Sequence, residues 1–425
     1  MGRKRFLYVV LAVSLILNCT FLFAGCMGPW DFSGLFDTAS GQTQTDGGQD
    51  PTGSETPDGV ADASSHAAEI QEKLSQIDQV INDYYLNDGE IDEEAMIEGI
   101  YSGYVAGLGE DYTTYYTAQE YDDLMESSSG EYSGIGVSVS QNLNTGIITV
   151  VNPFENGPGY EAGMRKDDIL FKVAGEEVTG VDINQVVAMI KGEEGTTVDL
   201  TVYRPSTDEY LDLTVERRVV QNPTVTWEMK EDGIGYIQIT EFDKVTVGQF
   251  SEAIADLQSQ GMKGLIFDLR DNPGGRLDSV CAMLDRVLPA GNLLVYTMDK
   301  DGNKEEYYTE DEDSLDVPTV ILVNGNSASA SEIFTAALQD YGVATVMGTT
   351  TFGKGIVQVI LPLGDGSAVK VTQSKYYTPN GVCIHGEGVA PDIEVEYDSE
   401  AANSEDAVDN QLAAAFEQVK TMVGE

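Results

Sequence analysis

The sequence predicts an α+β multidomain chain: an N-terminal membrane segment, a helical N-terminal region, a small β-barrel and an α/β core. Three observations predict it. The 425 residues suffice for about three domains of ~150 residues. An apolar share of 41% and an aromatic share of 8% are globular values, which excludes a wholly disordered chain. The pattern also changes along the chain, from polar linker to helical periodicity, then to β-rich runs, then to alternating strands and helices.

Residues 1–26 read as an export signal. Arg3, Lys4 and Arg5 form its charged start, and Phe6 to Gly25 carries no charge over a length that just spans a bilayer. Two readings stand. One is a retained signal anchor. The other is a lipoprotein signal with lipidation at Cys26, because Leu22-Phe23-Ala24-Gly25-Cys26 resembles a lipobox, with Phe23 as its poorest match. Both place the body on the extracytoplasmic side of a membrane. It is the one apolar run of that length, which excludes a multi-span transporter. Residues 27–66 are rich in Gly, Ser, Thr, Gln, Asp and Pro and read as a disordered acidic linker.

Residues 67–127 read as helical. Ile70, Leu74, Ile77, Ile81 and Tyr84 share one helix face, and Asp92 can cap a second helix carrying Met96, Ile100 and Tyr104. Such short helices make a weak core alone, which points to packing on another domain or on a second copy of the chain as a homodimer. Residues 130–218 hold β-rich runs such as Ile147–Val151, Ile169–Val173 and Val198–Val202, with one helical stretch at Asp182–Lys191. A barrel of five or six strands fits. Residues 219–398 alternate strand and helix, which predicts a parallel or mixed sheet. Residues 399–425 are polar and end in a short helix from Asn410.

Charge and scarce residues narrow the chemistry. The chain has 23 Lys and Arg against 72 Asp and Glu, a net −49. Beyond Arg5 the balance is 20 against 72, or −52, which repels nucleic acid and anionic headgroups. The four cysteines match no zinc pattern, and Cys281 and Cys383 read as small core residues. His66 and His385 are the only histidines, so a histidine base would have to be one of them, and His66 sits in the linker.

Two loops stand at the ends of buried strands, where ligands gather in open α/β sheets. The first is Asp268-Leu269-Arg270-Asp271-Asn272-Pro273-Gly274-Gly275. Its paired glycines can turn backbone N–H groups toward a developing negative charge. The second is Asn324-Gly325-Asn326-Ser327-Ala328-Ser329-Ala330-Ser331-Glu332. Ser329 to Glu332 fits a helix capping box. A serine at a helix start can equally attack a carbonyl while the next N–H, from Ala330, holds the oxyanion. Its base could be His385, or Lys354 within Phe352-Gly353-Lys354-Gly355. Gln358 is four residues on, on the same face of a strand or helix, where it could orient the lysine. A lysine base must be partly neutral, which requires an apolar site.

Together, Asp268–Gly275, the Ser327–Phe334 run Ser-Ala-Ser-Ala-Ser-Glu-Ile-Phe, Phe352–Gln358 and Tyr376-Tyr377-Thr378-Pro379-Asn380-Gly381 resemble the C-terminal processing peptidases, or tail-specific proteases. The likeness runs from about residue 70 to 398, in that family's domain order. It implies a serine endopeptidase with Ser329 as nucleophile, Lys354 as base and Gln358 as its orienting partner. Ala330 and one of Gly274 and Gly275 would form the oxyanion hole, and no metal or other cofactor is implied. The β-rich segment then resembles a PDZ domain. Gly134-Ile135-Gly136-Val137 matches the loop that would bind the C-terminal carboxylate of a protein or peptide substrate. Asp167 stands where that domain usually has glycine. His385 lies where the family has no catalytic residue. The rival reading is a latent PDZ-type sensor or envelope binding protein.

Overall fold

The structure, a computed structural model, describes residues 63–402 and 408–424, apart from positions 88, 90, 312 and 313. The expected membrane segment, Cys26 and the linker before residue 63 lie outside the described residues. Among those described, no helix is long and apolar enough to cross a membrane. The chain forms two compact units, one ending at Tyr104 and one running from Val105 to the C-terminus.

The first unit holds α1 (Ala63–Tyr84) and most of α2 (Glu93–Ala106). Helix α1 starts ahead of the expected residue 67, so His66 is an exposed helical residue rather than part of a linker. Asp92 caps α2, its Oδ1 accepting the Ala95 N–H at 3.0 Å. The helices expose Ile77, Val80, Met96 and Ile97, consistent with their small share of core.

The second unit opens with a correction to the helical reading of 67–127. Thr114-Tyr115-Tyr116, a β-branched and aromatic run, is strand β1 (Thr114–Tyr116), followed by α3 (Ala118–Ser129). Thr117 and Glu120 form a full capping box at the start of α3, and Gly130 ends it at φ +72°. The chain then gives β2 (Glu131–Gly134), β3 (Val137–Gln141), β4 (Ile148–Pro153), α4 (Pro158–Glu161), β5 (Ile169–Val173), β6 (Glu176–Glu177), α5 (Ile183–Ile190), β7 (Thr197–Arg204), β8 (Glu209–Glu216) and β9 (Arg218–Gln221). There are thus two helices in this segment, not one.

The strands make an open sheet, not a barrel. Their order is β3-β4-β5-β7-β8, with β6 on β5. Closure fails because the flanking strands β2 and β9 pair with each other, Gly134 opposite Arg218, and leave β3 and β8 as free edges. Val150, Val173 and Val202 of the sheet form one core cluster with Val186 of α5. Asp167 adopts φ +69°, a conformation that favours glycine and that Asp tolerates better than most residues. The next residue, Asp168, is fully buried and accepts Arg204 Nε and Nη2, each at 2.8 Å.

The core supplies β10 (Val225–Met229), β11 (Ile234–Ile239), α6 (Thr246–Ser259), β12 (Gly264–Asp268), α7 (Leu277–Leu284), β13 (Leu293–Asp299), β14 (Lys304–Tyr308), β15 (Thr319–Val323), α8 (Ala330–Asp340), β16 (Ala344–Gly348), β17 (Ile356–Pro362), β18 (Ala368–Tyr377), β19 (Ile393–Glu394), α9 (Ser399–Ala402) and α10 (Asn410–Gly424). One sheet runs β10-β11-β12-β15-β16-β19 and is parallel except for β10. Leu265 and Phe267 of β12 face the helices α6, α7 and α8, where Phe267 meets Phe334 edge-on at 5.2 Å. Ile266 points the other way, onto Ala415 and Val419 of α10. Burial of each such large side chain contributes about 2 kcal/mol. A second, antiparallel sheet, β1-β18-β13-β14 with β17 on β18, was not evident in the sequence. It carries the lysine loop and ties residues 114–116 to the core.

Arg204→Met strands the Asp168 carboxylate in the PDZ-like segment. Removing one partner of a buried pair costs about 3–5 kcal/mol, so the first thermal or urea transition of the chain shifts to milder conditions. An unchanged transition would show that this ion pair is dispensable.

Candidate active site

Strands β12 and β15 are parallel neighbours, so the loops that follow them leave the sheet at one edge. Side chains stitch the loops together. Asp271 Oδ1 accepts Asn324 Nδ2 at 3.0 Å and Asn326 Nδ2 at 2.8 Å. Ser327 Oγ donates to the Leu269 carbonyl at 2.8 Å, and Ser331 Oγ to the Asn272 carbonyl at 2.9 Å. The register between Gly274–Gly275 and Ser329–Ala330 is therefore fixed by both side chain and backbone.

Ser329 is the residue before α8. Its φ of +55° and ψ of −112° lie outside the regions a β-carbon allows cheaply, which places strain at this residue. The side chain is buried, and its Oγ has no hydrogen-bond partner among the described residues. The glutamate half of the expected capping box is present: Glu332 Oε2 accepts the Ser329 N–H at 2.7 Å. The same oxygen accepts the Lys354 N–H at 2.9 Å, while Oε1 accepts the Gly353 N–H at 2.7 Å and Thr351 Oγ1 at 2.6 Å. Burial pushes the Glu332 carboxyl above its ordinary value, and these four donors pull it back toward the charged form.

Lys354 is buried and makes no ion pair among the described residues. Its Nζ lies 4.8 Å from the centre of the Tyr112 ring. Gln358 is fully buried in β17. Its Nε2 donates to the Tyr112 carbonyl at 2.5 Å, and its Oε1 has no partner among the described residues. The Tyr376 hydroxyl spans the two functional loops, donating to the Lys354 carbonyl at 2.6 Å and lying 3.1 Å from that of Ser329. Gly355 admits the segment carrying His385, since a Cβ there would meet the His385 nitrogen at 2.5 Å. The His385 side chain itself is exposed.

The two glycines of the first loop differ. The Gly274 N–H donates to Asn272 Oδ1 at 2.8 Å. Gly275 forms a parallel bridge with Phe242, in which the Gly274 carbonyl and the Arg276 N–H make the two bonds. The Gly275 N–H takes no part, and it donates to no group among the described residues. At φ +147° a Cβ on Gly275 would lie 2.5 Å from the Phe242 carbonyl oxygen, so only glycine fits.

In the loop Gly134–Val137, the Ile135 and Gly136 carbonyls are held inward by the N–H groups of Gly159 at 2.7 Å and Phe154 at 2.9 Å. The N–H groups of Ile135 and Gly136 donate to nothing among the described residues. Gly136 sits at φ +66°, and Val137 begins β3, the free edge of its sheet. Cys281 and Cys383 are free and half-buried, and burial pushes the Cys281 thiol up to about 12. Sequence reasoning missed Tyr112 and the extent of the Glu332 network. Glu332 had a signal in its capping-box spacing, whereas Tyr112 is 246 residues from Gln358 and had none.

Comparison with known proteins agrees with this layout. Residues 233–395 match the model of peptidase family S41, and residues 148–204 that of the PDZ domain. The carboxy-terminal processing protease CtpA of Bacillus subtilis is 35% identical, over 81% of this chain and 73% of its own length. The carboxy-terminal-processing protease of Bartonella bacilliformis is 36% identical, over 72% of this chain and 70% of its own. A solved Bacteroides fragilis structure placed among the S41 proteases, 17% identical, shares the fold at a TM-score of 0.50, covering 80% of this chain and 92% of that one.

A pair of carboxyls, Glu241 and Asp243, flanks the Phe242 that bridges Gly275. Burial, then the adjacent Glu241, raises the Asp243 carboxyl from 3.8 to about 8, although Arg276 opposes the shift. Asp243 also packs on Gly130, where a Cβ would come within 3.1 Å of it. The stability gained from protonated Asp243 is fully present below the unfolded value near 3.8 and is lost as pH rises through about 8. The thermal midpoint should therefore decline as pH rises from about 4 to about 8 and level off above that, and Asp243→Asn should flatten the decline. An equal slope in both proteins would remove Asp243 as its cause.

Proposed function

The chain belongs to peptidase family S41 as a carboxy-terminal processing serine protease with a PDZ domain, and on that premise we propose that Ser329, Lys354 and Gln358 are its catalytic residues. The observation that carries the assignment is the buried, unpartnered Ser329 Oγ on a strained backbone whose N–H shares one Glu332 carboxylate oxygen with the Lys354 N–H. Ser329 Oγ attacks the scissile carbonyl carbon as Lys354 Nζ takes its proton. The oxyanion is held by the N–H groups of Gly275 and Ala330, and Gly274 is set aside because its N–H is bonded to Asn272. Lys354 then gives the proton to the leaving amine, and water releases the acyl group by the reverse sequence. Gln358 Oε1, with Nε2 fixed on Tyr112, is left to accept from Nζ.

The substrate is a protein whose C-terminal tail adds to the open edge of β3, with its carboxylate on the N–H groups of Ile135 and Gly136. Support comes from those unengaged donors and from the free edge. The enzyme works outside the cytoplasm, tethered through residues 1–26 as a signal anchor or a lipidated Cys26. The exposed apolar residues of α1 and α2 suit a homodimer.

The test is cleavage of an unfolded reporter with an apolar C-terminus. Ser329→Ala and Lys354→Ala should each lose at least ~10³-fold in kcat, and amidating the reporter tail should raise KM. Cutting by Ser329→Ala would end the assignment. Binding of the free tail without cutting by the wild type would instead favour a latent PDZ-type sensor. Gly275→Ala should lower kcat by about 10²–10³-fold, because the added Cβ displaces the donor from Phe242. Wild-type kcat in that variant would return the oxyanion role to Gly274.

A further inference from the structure

Tyr112 stands at the end of a short segment, six residues after α2 ends at Ala106 and ahead of β1. It touches both the proposed base and the glutamine proposed to orient it. Its ring faces Lys354 Nζ at 4.8 Å, within the range where an ammonium is attracted to an aromatic face. Its carbonyl fixes Gln358 Nε2 at 2.5 Å, which decides which end of the Gln358 amide is left for the lysine. One residue therefore sets the lateral position of the ammonium and the orientation of the amide that receives it.

Tyr112 is itself held tightly. Its N–H donates to Glu110 Oε1 at 3.0 Å. Glu110 Oε2 accepts Thr113 Oγ1 at 2.6 Å and Thr372 Oγ1 at 3.0 Å. Thr372 lies directly opposite Gln358 in the β17–β18 register. Burial works to raise the Glu110 carboxyl, and the hydrogen bonds from Thr113, Tyr112 and Thr372 outweigh it, leaving it below its ordinary value. The segment is thus clamped to the strand pair that carries Gln358. The β1–β18 pairing, Thr114 opposite Lys370, continues the clamp.

We propose that Tyr112 is a positioning residue for the Ser–Lys reaction, its aromatic face seating the Lys354 ammonium and its carbonyl orienting Gln358. This rests on the assignment of Lys354 as the base. The hydrogen bond to Gln358 comes from the backbone and survives substitution, so the side-chain role can be tested apart from it. Leucine at position 112 keeps the site apolar and filled but offers no π face. Phenylalanine keeps the face.

The experiment measures kcat and KM for the unfolded reporter with the full chain as wild type, Tyr112→Leu, Tyr112→Phe and Lys354→Ala, with a thermal midpoint for each. Tyr112→Leu should lower kcat by about 10–100-fold, the scale of an ångström-level misplacement, with KM changed by less than about threefold. Tyr112→Phe should recover kcat to within about threefold of wild type. Wild-type kcat in Tyr112→Leu, or equal losses in Leu and Phe, would overturn the proposal, as would a loss of kcat that simply follows the thermal midpoint. Should leucine prevent folding, Tyr112→Met fills the same space without a π face and carries the same test. If Lys354→Ala stays active, the base assignment fails and this role with it. If Lys354→Ala is inactive while Tyr112→Leu matches wild type, only the role of Tyr112 is lost.

Discussion

The Glu332 carboxylate is the interaction on which the rest of the site depends. It is fully buried, and its two oxygens accept four donors from two separate segments: Ser329 on one side, and Thr351, Gly353 and Lys354 on the other. A buried carboxylate with fewer donors would cost several kcal/mol, so each donor is obliged to keep its place. That obligation holds Ser329 in a conformation it would otherwise leave. It also brings the lysine loop to the start of α8 without any hydrogen bond between the Ser329 and Lys354 side chains. The strain at Ser329 and the unpartnered Oγ are unfavourable locally and persist because the surrounding hydrogen bonds over-determine them.

Much of this was legible in the sequence, and the reason is local. The strands β12 and β15 are short and apolar except for Asp268 and Thr319 at their ends, the mark of strands buried on both faces, and the loops after them are dense in Gly, Asn and Ser. Residues close in sequence, such as Ser329 and Glu332, could be paired by spacing alone. What escaped was non-local. The antiparallel sheet joins β1 to β18, and no periodicity within residues 114–116 announces a partner 254 residues away. The open edge of the PDZ sheet escaped for a similar reason. Alternation shows which residues face a core, but not whether the first and last strands meet, and here β2 and β9 satisfy each other instead.

The PDZ segment and the proposed oxyanion donor are close in the chain's hydrogen-bond network. Asn222, just past β9, donates to the Gly130 carbonyl at 2.7 Å, and the Lys244 N–H reaches the Ser128 carbonyl at 3.4 Å. Gly130 in turn packs on Asp243 and Val245, beside the Phe242 that bridges Gly275. The proposed carboxylate loop at Gly134–Val137 is thus only a few residues of strand from the segment that holds Gly275. Such continuity is a physical route, and it becomes coupling only if one of these elements has two arrangements.

The same geometry constrains when the site can exist. Gln358 needs the Tyr112 carbonyl, Ser329 needs Glu332 and the loop after β16, and Gly275 needs Phe242. Apart from the Ser329–Glu332 bond at the start of α8, these contacts join separate elements, and the longest spans 246 residues. Contacts of such separation are the late and slow ones in folding. A partly folded chain would hold the serine and the lysine without the hydrogen bonds that place them. For a carboxy-terminal processing protease, this ties the capacity to cut to the completed fold.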